Sequence, residues 1–168
     1  IVAGGVFSAK ANANVAFSTG TSSQKKDRLR AQKMDMGDYF EFKVNGLTLK
    51  KNDIIRFKNA GIATTAYTKG VALWVVEYSF DGTSWTKSAD IELNAGNKPF
   101  SLDLEATAPA AMENGTFYVR VTANEELAAK GDGSAMSMIM INGDSNVSEN
   151  NKYYTDDWSF VYFETETF

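Results

Sequence analysis

The chain contains no cysteine, no histidine and only two prolines among its 168 residues. Without cysteine there is no disulfide, thiolate zinc site, iron–sulfur cluster or thiol nucleophile. Without histidine there is no Ser-His-Asp triad, no imidazole base and no imidazole-ligated transition metal. A bound metal would have to be a hard cation held by oxygen, calcium first among them. The lack of cysteine leaves the compartment open. Long apolar runs are also missing, and none approaches the roughly 20 residues of a membrane-spanning helix. A formal net charge of −4 gives a field that favours neither nucleic acid nor an anionic membrane. One basic run, residues 25–30 (KKDRLR), reads as a solvated loop or strand end. The chain starts at Ile1 with no basic segment ahead of an apolar one, as expected of a fragment from which an export signal has been removed.

Aromatic residues, in contrast, are plentiful: eleven Phe, seven Tyr and three Trp. This length suffices for one domain with a core that needs no covalent staple. Period-two patterning recurs almost throughout. In residues 38–44, Phe40, Phe42 and Val44 share one face and Tyr39, Glu41 and Lys43 the other. Similar alternation predicts strands over residues 53–58, 100–104, 116–122 and 136–141, with an early strand near 15–17. Residues 71–78 and 158–163 are apolar on both faces and read as strands covered on both sides. Asn45-Gly46, Asp81-Gly82, Asn114-Gly115, Asp132-Gly133 and Asn142-Gly143 are expected reversals. Only residues 124–130 (NEELAAK) read as helical, for a turn or two. No repeat or linker divides the chain, so residues 1–168 are expected to form one domain, with 1–13 an irregular extension or an edge strand.

Eight or so strands without βα alternation predict an all-β, antiparallel two-sheet sandwich. Long loops are expected at residues 19–37, 60–70, 123–135 and 142–157, and loops of that length usually carry function. Residues 73–85 (LWVVEYSFDGTSW) hold the most specific pattern: Trp74, Glu77-Tyr78-Ser79, Asp81-Gly82 and Trp85. This pattern resembles the galactose-binding-like jelly rolls, relatives of the discoidin or coagulation factor 5/8 type C domains, which occur in secreted bacterial proteins. Gly37 to Phe42 resembles the early strand of that family. Phe117 to Val121 resembles its strand with an outward arginine, here Arg120, and Asp156-Asp157-Trp158 leads into its last strand. The resemblance spans residues 37–163. It implies a jelly-roll sandwich acting as a non-catalytic carbohydrate-binding or adhesion module, secreted, periplasmic or on the cell surface. Its partners would be a glycan or polysaccharide and other domains of the same surface protein. The alternative is a structural or protein-interaction domain of a larger assembly. The calcium-loop sequence of many discoidin-like domains is missing, so no cofactor is expected, with a calcium ion held outside any clear motif as the alternative.

Sugars present apolar C–H faces and a belt of hydroxyls, so their sites need aromatic platforms beside planar hydrogen-bonding groups. Within residues 142–157 stand Tyr153, Tyr154, Asn150, Asn151 and Asp156. Tyr67 in the 60–70 loop and Arg28 or Arg30 in the first loop are expected to join them, placing the site on loops at one end of the sandwich. Trp74 and Trp85 are assigned to core or sheet-surface packing, and Glu77 to a cross-strand pair or an outward position. Asn142 to Asn146 places oxygen ligands at alternating positions. It fails the EF-hand pattern, with Val147 where glycine is required and Tyr153 where glutamate is required, and reads as a plain turn. Ser84-x-x-Lys87 has penicillin-binding-enzyme spacing but lies on a hairpin and not at a helix N-terminus. Gly131-x-Gly133 lacks the third glycine of a nucleotide loop. Paired carboxylates could hydrolyse glycosides without histidine, but no pair stands out among 21 acidic residues.

Overall fold

In the computed structural model, residues 7–11, 14–15, 28–32, 34–58, 61–64, 71–93, 100–125, 136–140 and 162–166 are described. Thirteen strands lie among them: β1 (Phe7–Ala11), β2 (Asn14–Val15), β3 (Arg28–Gln32), β4 (Tyr39–Leu49), β5 (Ile54–Lys58), β6 (Gly61–Thr64), β7 (Leu73–Ser79), β8 (Thr86–Glu92), β9 (Phe100–Ser101), β10 (Leu104–Thr107), β11 (Met112–Ala123), β12 (Met136–Met140) and β13 (Tyr162–Glu166). Every pairing between them is antiparallel. No helix occurs among the described residues, and none there is long and apolar enough to cross a membrane.

One layer is the five-stranded sheet β1-β4-β11-β7-β8. Facing it are β10-β5-β13 and, through Ile62, the sheet β2-β3-β12-β6-β9. The chain leaves the five-stranded sheet after β4, returns for β7 and β8, leaves again, and returns for β11. This repeated crossing between antiparallel layers makes the sandwich a jelly roll. The core forms where the inner residues of both layers meet: Phe40, Phe42, Val44, Trp74, Val76, Phe117, Val119 and Val121 against Ile55, Phe57, Ile62, Leu104 and Ala106. The rings of Phe42 and Phe57 touch across the layers with centroids 4.9 Å apart. Trp74 is buried too, and its indole N–H donates to the Val71 carbonyl at 3.0 Å, so no polar atom of this side chain is stranded.

Outside the core, the facing layer is tied at β5. Arg56 Nε lies 2.8 Å from Glu105 of β10 and its Nη1 2.8 Å from Glu166 of β13. These two carboxylates, Glu166 foremost, hold the guanidinium pKa above its ordinary value.

Several expectations are corrected. Asn45-Gly46 and Asn114-Gly115 are not hairpins but bulges within the long β4–β11 pair. Val44 and Leu47 are three positions apart while their partners Phe117 and Gly115 are two apart; between Leu47 and Leu49 the surplus residue lies on β11. The two insertions cancel, and the register is restored. Positive φ at Gly46 (71°) and Asn114 (50°) is what a bulge requires, as a tight turn would. Residues 28–32, expected within a loop, form β3, and 61–64 form β6. Within the 1–13 segment, for which an irregular extension or an edge strand was expected, residues 7–11 form β1 at the edge of the five-stranded sheet. Strand β7 is less covered on its outer face than expected: Trp74 and Val76 are buried, whereas Leu73 is 37% exposed and Val75 and Glu77 are half-buried. Asn124 and Glu125 are not helical. The 126–130 remainder of the expected helix, Asp132-Gly133, Asn142-Gly143 and residues 158–161 lie outside the described residues.

The Asp81-Gly82 reversal is present, though as a six-residue connection between β7 and β8. Ser79 and Asp81 organise it. Asp81 Oδ1 accepts from the backbone N–H groups of Thr83 and Ser84 at 2.8 and 2.7 Å and from Ser79 Oγ at 2.9 Å. Ser79 Oγ in turn accepts from the Gly82 N–H at 2.8 Å. These bonds, those from Ser84 and Thr83 first, favour the carboxylate and hold the Asp81 pKa far below its ordinary 3.8.

Two outcomes test this architecture. Phe42→Ala leaves a cavity between the layers and is expected to cost about 3–5 kcal/mol in denaturant unfolding. Asp81 stabilises fully above its unfolded pKa, and that contribution is lost as pH falls toward the depressed folded value. The Tm gap between the protein and Asp81→Asn is therefore expected to be constant above about pH 5 and to narrow below the ordinary carboxylate value of 3.8.

Candidate functional site on the outer sheet face

Alternation along β4 and β11 turns Tyr39, Glu41, Lys43, Tyr118, Arg120 and Thr122 away from the core. The pairing register then brings residues far apart in sequence into one row. Lys10 of β1 stands opposite Glu41 of β4, Glu41 opposite Arg120 of β11, Arg120 opposite Glu77 of β7, and Glu77 opposite Lys87 of β8. The row crosses all five strands with charge alternating in sign.

Arg120 is its centre. Its Nε donates to Glu41 Oε2 at 2.5 Å, and the Glu41 side chain is only 3% exposed. The guanidinium carbon lies 4.0 Å from the Tyr39 ring centroid and 4.2 Å from that of Trp85, so the cation is held by two aromatic rings as well as by a carboxylate. Trp85 arrives from the β7–β8 connection, and its ring also meets Tyr118 edge-on, with centroids 6.2 Å apart. Gly82 in the same connection lies against the Tyr118 ring at φ +79°; a Cβ there would come within 3.1 Å of Tyr118 Cε2. A glycine at this position lets the connection lie flat on the sheet and deliver Trp85 over Arg120.

Two hydrogen-bonding groups on this face remain uncommitted. Among the described residues, the Nη1 and Nη2 groups of Arg120 make no hydrogen bond, and Glu77 makes no hydrogen bond or ion pair. Lys87, next to Glu77 in register, pairs instead with Asp90 at 2.9 Å. Tyr39, Tyr118, Trp85, Arg120 and Glu77 are all half-buried. The face thus offers aromatic rings, a fixed guanidinium and an available carboxylate on three adjacent strands and the connection beside them. No three His, Cys, Asp or Glu side chains among the described residues are grouped to hold a metal ion.

The loop residues singled out from sequence, Tyr67, Asn150, Asn151, Tyr153, Tyr154 and Asp156, lie outside the described residues, as does the 142–146 turn. Arg28 and Arg30 are on β3, opposite Met140 and Met138 of β12, in a different sheet from Arg120. Trp74 packs in the core from β7, and Trp85, which stands in the β7–β8 connection and not in a strand, packs on the sheet surface. The outward orientation of Arg120 was readable from alternation. Its conjunction with Tyr39, Glu77 and Trp85 was not, because it depends on the register of strands as much as 79 residues apart.

Removing Arg120 strands a buried carboxylate. Arg120→Leu is expected to cost about 3 kcal/mol in denaturant unfolding, and the double variant Glu41→Leu/Arg120→Leu to recover most of that loss.

No family model matches the chain, and no curated protein matches it either. Among solved structures, it is similar to a CBM4 carbohydrate-binding module at 12% identity, covering 95% of this chain and 94% of that one, with a TM-score of 0.47. It is also similar to TmCBM61 in complex with β-1,4-galactotriose, at 10% identity, 95% and 88% coverage and a TM-score of 0.41. A third is the N-terminal cellulose-binding domain of Cellulomonas fimi β-1,4-glucanase C, at 8% identity, 97% and 90% coverage and a TM-score of 0.44. The fold and the site described above rest on this chain's own register and side chains.

Proposed function

We propose that this chain is a non-catalytic carbohydrate-binding module, exported to the periplasm, cell surface or medium, that receives a glycan on the outer face of its five-stranded sheet. The observation that carries the reading is the Tyr39–Arg120–Trp85 stack with the Arg120 Nη groups and Glu77 left open beside it. Aromatic rings supply contact for sugar C–H faces, while a guanidinium and a carboxylate hydrogen-bond vicinal hydroxyls as donor and acceptor. Glu41 and two rings fix Arg120 before ligand arrives, which lowers the ordering cost of binding. Affinity is weak all the same, since each sugar hydroxyl exchanges bonds to water for similar bonds to protein.

The same face supports binding over hydrolysis. Glycoside hydrolysis needs two available carboxyl groups about 5–9.5 Å apart across the scissile bond. Of the described carboxylates nearest Glu77 on this face, Glu41 is committed to Arg120 and Asp90 to Lys87.

Calorimetry against soluble galactan, arabinoxylan, glucomannan, xyloglucan and hydroxyethyl cellulose tests the proposal. The protein is expected to bind at least one of them, and Trp85→Ala to weaken that binding by about tenfold or more with little change in Tm. Undiminished binding by Trp85→Ala, together with loss in Tyr153→Ala/Tyr154→Ala, would move the site to the loop residues.

A further inference from the structure

The charges on this face narrow the ligand class, an inference that rests on the carbohydrate-binding reading. The five-strand row holds three cations and two anions, Lys10, Arg120 and Lys87 against Glu41 and Glu77. Asp90, 2.9 Å from Lys87 Nζ, makes the group neutral in total. Within it the compensation is uneven. Arg120 is neutralised by Glu41 and Lys87 by Asp90, whereas Glu77, between those two cations in register, pairs with neither. The remaining charged side chain near the row on β4 is Lys43, opposite Tyr118, and it is already engaged by a partner.

We infer that the site takes neutral glycans and rejects uronate- or sulfate-bearing ones, with Glu77 as the residue that sets this preference. A carboxylate or sulfate brought to the open Nη groups of Arg120 would have to sit beside Glu77, and the cation it sought is already paired. Like charges on a partly desolvated face repel more strongly than in bulk water. The whole-molecule charge of −4 acts in the same direction by lowering the local concentration of any polyanion. A neutral sugar meets no such opposition, because Glu77 accepts from its hydroxyls while Arg120 donates to them.

The test is a matched comparison. The best neutral binder of the panel above is titrated beside the same polymer oxidised at its primary hydroxyls to uronate, with polygalacturonate and carboxymethyl cellulose as further acidic probes. The acidic forms are expected to bind about tenfold or more weakly at low salt. The gap is expected to shrink in high salt, and Glu77→Gln is expected to close most of it by raising the affinity for the acidic polymers, while the neutral polymer, which loses a charged acceptor, binds no tighter than before. Equal or tighter binding of the acidic polymers, or a gap unchanged in Glu77→Gln, would overturn the assignment to Glu77 and leave carbohydrate recognition at this face standing. If neither class binds the folded protein, both the inference and the proposed function fail.

Discussion

The Arg120–Glu41 pair is the interaction on which the outer sheet face depends. A carboxylate as buried as Glu41 needs a fixed cationic partner, and Arg120 supplies it from the neighbouring strand directly opposite in register. Once the guanidinium is held there, it becomes a docking point for the rings of Tyr39 and Trp85. The Ser79–Asp81 turn and the close approach of Gly82 to Tyr118 then bring Trp85 to that position. A polar group turned outward from the core thus becomes the fixed point around which three aromatic rings are arranged.

Beneath this face the sandwich is built on ordinary terms. Period-two alternation on β4, β7 and β11 sends large apolar side chains inward, where the facing layer covers them. The core does not depend on the outer cluster, so the face can specialise without reorganising the fold. The paired bulges in β4 and β11 add one residue to each strand and leave Phe40, Phe42 and Val44 in register with Val121, Val119 and Phe117.

Strands with one buried face were legible in the sequence, since burial writes alternation directly into residue order. Strands β3 and β6 lie where loops were expected, and of β8 only the hairpin entry was legible: it is an edge strand with only Ile91 buried, so packing imposes little pattern on it. Asn45-Gly46 and Asn114-Gly115 misled for a different reason. Positive φ serves a bulge and a hairpin alike, and only the partner strand distinguishes them. The site divides in the same way. That Arg120 and Tyr39 face outward follows from local alternation. That they meet each other, Glu77 and Trp85 follows from long-range register, which no local pattern encodes. The 73–85 segment holds both parts, with Trp74 anchoring the core and Trp85 completing the outer face.

Glycan binding across this face is testable by NMR titration of the labelled protein with a soluble oligosaccharide. Concentration-dependent shifts are expected of the Trp85 indole N–H, the Arg120 Nε–H and the backbone amides of β7 and β11 around Glu77 and Arg120. Shifts confined to residues 142–157, with these resonances unmoved at saturation, would contradict it.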